Sequence, residues 1–83
     1  MASVIIYSKQ GCPYCDRAKM LLGKKGVSFE EIPVDLDAKQ LDIMIKKSQR
    51  RCVPQIFIND RSIGGFDDLV ALDRKGELDT LLV

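Results

Sequence analysis

Along this chain the apolar residues change period several times, and each change marks an element. Ser3-Val4-Ile5-Ile6-Tyr7 is a short, β-branched, mostly apolar run, as expected of a strand covered on both faces. Ser8 to Gly11 is polar and reads as a loop. From Pro13 the pattern becomes helical: Tyr14, Ala18, Leu21 and Leu22 fall at i, i+4, i+7 and i+8. Pro13 suits the first helical position, and Gly26 marks the stop. Val27 to Val34 reads as a second strand whose alternation slips at Glu30-Glu31 and which contains Pro33. An edge strand with a bulge accommodates both.

Asp37, with Gln40 three residues on, resembles a capping box opening a second helix with the stripe Leu41, Met44, Ile45. Gln55-Ile56-Phe57-Ile58 is strand-like, Asn59-Asp60 is a turn pair and Arg61-Ser62-Ile63 is a short return strand, so a hairpin is expected. Gly64-Gly65 breaks it. Asp67 then offers an N-cap for a helix through Lys75, ended by Gly76. Leu78, Leu81 and Leu82 should dock a final turn on the core. With no repeat, low-complexity tract or linker, residues 1–83 read as one domain. The order β-α-β-α-β-β-α predicts a four-stranded mixed α/β sheet: the βαβ unit supplies a parallel pair and the hairpin an antiparallel one. Helices must cover both faces, which is the thioredoxin-like arrangement.

Composition narrows the chemistry. Eighty-three residues, 46% apolar and 30% charged, suit a small globular domain rather than a disordered segment. No apolar run approaches the ~20 residues of a membrane-spanning helix, and Met1-Ala2-Ser3 enters a strand without the regions of a signal peptide. The absence of histidine removes Cys-His and Ser-His catalysis and His-ligated zinc. Three cysteines cannot supply a four-cysteine zinc site, and no metal is expected. Thirteen basic and twelve acidic residues leave a net charge of +1, which suits neither nucleic acid nor a membrane surface. The basic run Lys46-Lys47-Ser48-Gln49-Arg50-Arg51 has no interleaved aromatics and reads as the solvated end of the second helix.

The strongest chemical signal is Cys12-Pro13-Tyr14-Cys15 at the loop-to-helix junction. Cys12 sits at the expected N-cap and Cys15 one turn later on the same face, a spacing that lets the sulfurs form a disulfide. The partial positive charge and unpaired N–H groups of the helix N-terminus favour a thiolate there, and Lys9 adds a cation nearby. Cys12 is therefore expected to be the exposed attacking sulfur, and Cys15, beside the apolar stripe, a protected thiol. Half of a zinc site is the competing reading of a CxxC, but no second cysteine or histidine pair succeeds it along the chain.

Tyr7-Ser8-Lys9-x-x-Cys12-Pro13-Tyr14-Cys15, then Cys52-Val53-Pro54, then Gly64-Gly65-Phe66-Asp67-Asp68 resembles the glutaredoxin family, above all the small dithiol members of bacteria. The resemblance runs from about Val4 to Leu82. It implies that Pro54 is cis and that Val53 offers its backbone to the cysteinyl unit of glutathione by strand addition. The plainer reading of that dipeptide is a strand-start proline. The resemblance also implies that Gly65, Phe66, Asp67 and Asp68, opening the third helix, hold the γ-glutamyl carboxylate on backbone N–H groups and its ammonium on an acidic side chain. Lys9 would meet the glycyl carboxylate, and Tyr14 would line the approach to Cys12. Cys52 stands where the family usually has threonine, next to the expected active site; a third redox-sensitive thiol is one reading, but nothing marks it for activation and it reads as a small, partly buried substitute.

The chain therefore reads as a cytoplasmic, monomeric thiol-disulfide oxidoreductase without a bound cofactor, using glutathione as co-substrate. Its expected partners are glutathione and disulfide-containing or glutathionylated proteins, reduced through Cys12 and Cys15. Two other roles compete: a donor of the thioredoxin type recycled by a flavoprotein reductase, and an iron–sulfur carrier whose cluster two protomers share. The Gly64 to Asp68 segment speaks against the first; Pro13 and Cys15 speak against the second.

Overall fold

A computed structural model describes residues 2–83; Met1, part of the expected single domain, lies outside the described residues. The chain runs β1 (Val4–Ser8), α1 (Pro13–Lys24), β2 (Glu30–Pro33), α2 (Ala38–Ser48), β3 (Gln55–Ile58), β4 (Arg61–Gly64), α3 (Phe66–Arg74) and α4 (Leu78–Leu82). The strands form one mixed sheet in the order β2-β1-β3-β4. β1 and β2 are parallel, and β1/β3 and β3/β4 are antiparallel. This is the expected element order with its final turn drawn as α4.

Strand alternation explains why the sheet carries helices on both faces. Val4 and Ile6 of β1 join Ile56 and Ile58 of β3 in a core closed by Ala18 and Leu22 of α1, Leu69 of α3, and Leu78 and Leu82 of α4. Tyr7 and Phe57, one position out of phase, face the other way and meet Met44 of α2 and Val34. Their rings pack edge to face, 5.6 Å between centroids. Such a sandwich leaves only the strand ends and the loops between them for chemistry. Among the described residues no helix is long and apolar enough to cross a membrane.

Several boundaries depart from the sequence pattern. β2 covers only Glu30–Pro33 rather than Val27 to Val34, and it pairs with β1 in unbroken register from Ile5↔Glu30 to Ser8↔Pro33. The slip at Glu30-Glu31 needs no bulge, because a short edge strand lets both carboxylates reach water. Val27 and Phe29 serve the core from the preceding loop instead. The irregularity in the sheet lies between β3 and β4, at Ile56/Phe57. Asn59 and Asp60 both adopt positive φ, as a two-residue hairpin turn matching the strand twist requires.

The third helix also starts earlier than expected. Its N-cap is Gly65 and not Asp67, because the Asp68 carboxylate reaches back to accept the Gly65 N–H at 2.9 Å. Gly64, at φ +115, makes room for this: a side chain there would collide with that carboxylate. At the far end of α2, Gln49 takes a left-handed cap conformation at φ 62. Arg50 and Arg51 are thereby turned off the helix axis, so the basic run is not one solvated helix end.

Candidate active site

Cys12 caps α1 with its sulfur, which accepts the Cys15 N–H at 3.1 Å, and Pro13 follows at the first helical position. Capping explains a departure from the expected exposure. Cys12 is only 7% exposed, because a side chain folded over the turn it caps is covered by that turn. Cys15 is fully buried, and the two thiols are free. Burial pushes the Cys15 thiol up to about 12, and its hydrogen bond to Cys12 pushes the same way. The Lys9 backbone N–H and the more distant Lys19 charge oppose these without prevailing. Cys15 is thus held as a thiol beside a capping sulfur.

A groove of about 300 Å³ opens beside this junction, lined by Tyr14, Val53, Pro54, Gly65, Phe66, Asp67 and Asp68. The Val53-Pro54 peptide is cis. Three segments distant in sequence meet here: the start of α1, the approach to β3 and the N-terminus of α3. Tyr14, half exposed, tilts against Phe66 with 6.1 Å between ring centroids, and the Arg17 guanidinium lies 5.2 Å from the Tyr14 centroid. Asp68 is already engaged, accepting from Gly65 N–H and from Arg50 Nη1, each at 2.9 Å; the first, then the second, holds its carboxyl below the ordinary 3.8. Asp67, next to it, is exposed.

Lys9 is not brought to this groove. It lines a separate depression of about 490 Å³, with Ser8, Asp16, Lys19, Glu31 and Leu36. Here Glu31 accepts from Ser8 Oγ at 2.7 Å and Lys19 Nζ at 2.9 Å, which together lower its carboxyl below the ordinary 4.5. Two residues line the groove that were not counted among the expected glutathione contacts. Arg50 is one, and the only signal was its place just before Cys52-Val53-Pro54. Cys52 is the other: it is exposed rather than partly buried, and its sulfur lies 3.6 Å from the buried Gln55 Nε2. Among the described residues no three His, Cys, Asp or Glu side chains cluster to hold a metal ion.

The glutaredoxin family model matches residues 4–63, which contain both cysteines of the CxxC and the Val53-Pro54 dipeptide. The chain belongs to the glutaredoxin family. It is 60% identical over 82 residues to glutaredoxin 3 of Escherichia coli K12, covering 99% of each chain. Its fold is similar to the solution structure of glutaredoxin from Brucella melitensis, with a TM-score of 0.87, 49% identity, and coverage of 99% of this chain and 89% of that one. It is also similar to a buckwheat glutaredoxin–glutathione complex, with a TM-score of 0.89, 28% identity, and coverage of 98% and 76%. The chain is accordingly a thiol-disulfide oxidoreductase with Cys12 and Cys15 as its dithiol. That chemistry fits what α1 provides: a capping sulfur that accepts a helix N–H, and a second thiol buried one turn below.

Proposed function

We propose that this glutaredoxin reduces glutathione mixed disulfides and protein disulfides, with glutathione as its electron donor bound in the groove beside Tyr14. The observation that carries the reading is the convergence of Val53-Pro54 and the α3 N-terminus on Tyr14, inside the Cys12-to-Cys15 turn. The Val53 backbone supplies a donor and an acceptor to an extended tripeptide. The first free N–H groups of α3, at Phe66 and Asp67, suit a carboxylate, since the Gly65 N–H is taken by Asp68, and the exposed Asp67 carboxylate suits the neighbouring ammonium. Asp68 acts with it by fixing the α3 N-terminus and Arg50. The glycyl carboxylate then has two candidate cations: Lys9, in its own depression, and Arg50, which lines the groove.

With a glutathione mixed disulfide, the Cys12 thiolate attacks the glutathionyl sulfur. A Cys12–glutathione disulfide forms, and the substrate leaves as a thiolate that takes up a proton. A glutathione thiolate then attacks that disulfide, releasing oxidised glutathione and restoring Cys12. With a protein disulfide, Cys12 bonds to one substrate sulfur. Cys15 gives up its proton and attacks the Cys12 sulfur, so the substrate leaves as a dithiol, and two glutathione molecules reduce the Cys12–Cys15 disulfide. The reaction needs reduced glutathione, which favours the cytoplasm, and no second protomer. Turnover of a glutathionylated peptide with glutathione, set against turnover with a flavoprotein reductase, tests the reading. Activity with the reductase alone would overturn it.

A further inference from the structure

The face formed by α1 and α3 carries a second depression that the dithiol chemistry does not use. It has a volume of about 340 Å³ and is floored by Met20, Leu21, Phe66 and Val70, with Arg17 and Lys24 along its α1 rim. Met20 is 63% exposed, although α1 turns Ala18 and Leu22 fully into the core. Asp73 also reaches this cleft, but its carboxylate is held by Lys25 at 2.6 Å. Among the described residues neither Arg17 nor Lys24 has an ion-pair partner, so the rim is positive. Phe66 lines both this cleft and the groove lined by Tyr14, and Arg17 lies over the Tyr14 ring where they adjoin. The two depressions therefore adjoin at Phe66 and at the Tyr14–Arg17 contact, on the first turns of the helix that Cys12 caps.

We propose that the α1–α3 cleft seats the polypeptide substrate: it takes an apolar side chain of a disulfide-bearing segment whose carboxylates lie further along, against Lys24. This rests on the reading that the chain reduces protein disulfides. Glutathione is too small to occupy its own groove and also cross Phe66, whereas a protein segment bonded to Cys12 continues past it. Length fixes the spacing. Met20 and Lys24 stand eight and twelve residues beyond Cys12, roughly 12 and 18 Å along the helix. An extended chain at about 3.3 Å per residue places the apolar side chain roughly four residues from the reacting cysteine. The first carboxylate comes about two residues later.

Three synthetic disulfide-bonded peptides test this, each reduced in the presence of glutathione. One carries Leu at the fourth position after a cysteine and two Glu beyond it; the second replaces Leu with Ser, and the third replaces both Glu with Lys. The first should exceed the second in kcat/KM by about fivefold and the third by about threefold, the latter advantage fading at about 0.5 M salt. Met20→Ser and Val70→Ser should bring the Leu/Ser ratio to about one, and Lys24→Glu should invert the Glu/Lys preference. All three variants should keep wild-type turnover of the mixed disulfide between glutathione and 2-mercaptoethanol. Equal use of the peptides by the wild type, or ratios that persist in the variants, would overturn the proposal. So would a dimer in sedimentation that Met20→Ser dissolves, since the cleft would then serve a second copy. A wild type inactive on the small mixed disulfide sinks the underlying function instead; an active one blind to the peptide series sinks only the docking surface.

Discussion

The two flanks of the dithiol each carry a carboxylate held by two donors, yet they are built for different ends. On the α3 side, Asp68 accepts from a backbone N–H and from Arg50, and both donors sit on the wall of an open groove. On the β2 side, Glu31 accepts from a buried serine hydroxyl and from Lys19, the residue one turn beyond Cys15. In the proposed function the first arrangement shapes the glutathione groove; the second places a partly neutralised cation near a thiol whose titration is governed chiefly by burial. The first flank should therefore govern which molecule reacts, and the second how readily Cys15 takes part.

The largest effects should come from the sulfurs between the flanks. Cys12→Ser should lower both glutathione mixed-disulfide and protein-disulfide reduction by about a thousandfold. Cys15→Ser should keep much of the first activity and lose roughly tenfold or more of the second, because external thiol replaces an intramolecular attack poorly. Parallel assays with a small mixed disulfide and a disulfide-bonded protein read the split. A Cys15→Ser protein inactive in both would remove the single-sulfur route.

Asp68→Ala should come next. Losing its charge-assisted contacts on the groove should lower kcat/KM for glutathione by a factor equivalent to about 1.5–3 kcal/mol. The thermal melt should fall less, since the cap is partly exposed and worth about 1 kcal/mol. Steady-state kinetics with varied glutathione, run beside melts, separate these. Unchanged kinetics would leave Asp68 as a helix cap and nothing more.

On the opposite flank, Glu31→Ala frees the Lys19 ammonium, leaving only Asp16 at 3.5 Å. The less neutralised cation should favour the Cys15 thiolate and bring its titration below about 12. Thiolate absorbance against pH, compared with and without Glu31 in a Cys12→Ser/Cys52→Thr background, measures it. Glutathione kinetics should stay near wild type.

The two carboxylates also share a pH signature. Both titrate lower in the folded chain than in the unfolded one, so each contributes stability that is complete above its unfolded value and lost as pH falls through its folded one. Melting temperature should drop as pH is lowered from about 5 towards 3, and the drop should shrink in Asp68→Ala and Glu31→Ala. Both side chains are more than a third exposed, so the effect is modest and falls further in high salt. The smallest change is expected from Cys52→Thr: turnover near wild type, with fewer adducts at this exposed thiol in peptide mass mapping after mild oxidation.

The same contrast explains what the sequence reveals. The CxxC, its proline and the Asp37 cap are local, with geometry fixed within one helical turn, and they stand where their spacing placed them. The apolar run Ser3 to Tyr7, read as a strand covered on both faces, does serve both core faces, through Val4 and Ile6 on one and Tyr7 on the other. What escaped depends on chain direction after an element ends. Arg50 looks like helix-end charge until Gln49 turns it towards the groove. Asp67 and Asp68 are interchangeable as letters; a helix beginning at Phe66 puts Asp68, not Asp67, three residues beyond the cap.

Gly64 limits how this molecule can vary. Its backbone stands in a region that L side chains rarely adopt, and the space a Cβ would need is filled by the Asp68 carboxylate. Gly64→Ala would therefore strain the end of β4, displace the cap of α3 and loosen the Arg50 contact in one step. Secondary changes elsewhere could restore overall stability, yet none would return the carboxylate to a volume already occupied. A side chain at this position disturbs the strand end and the groove wall together, so a library randomised here should return glycine wherever wild-type glutathione kinetics are kept.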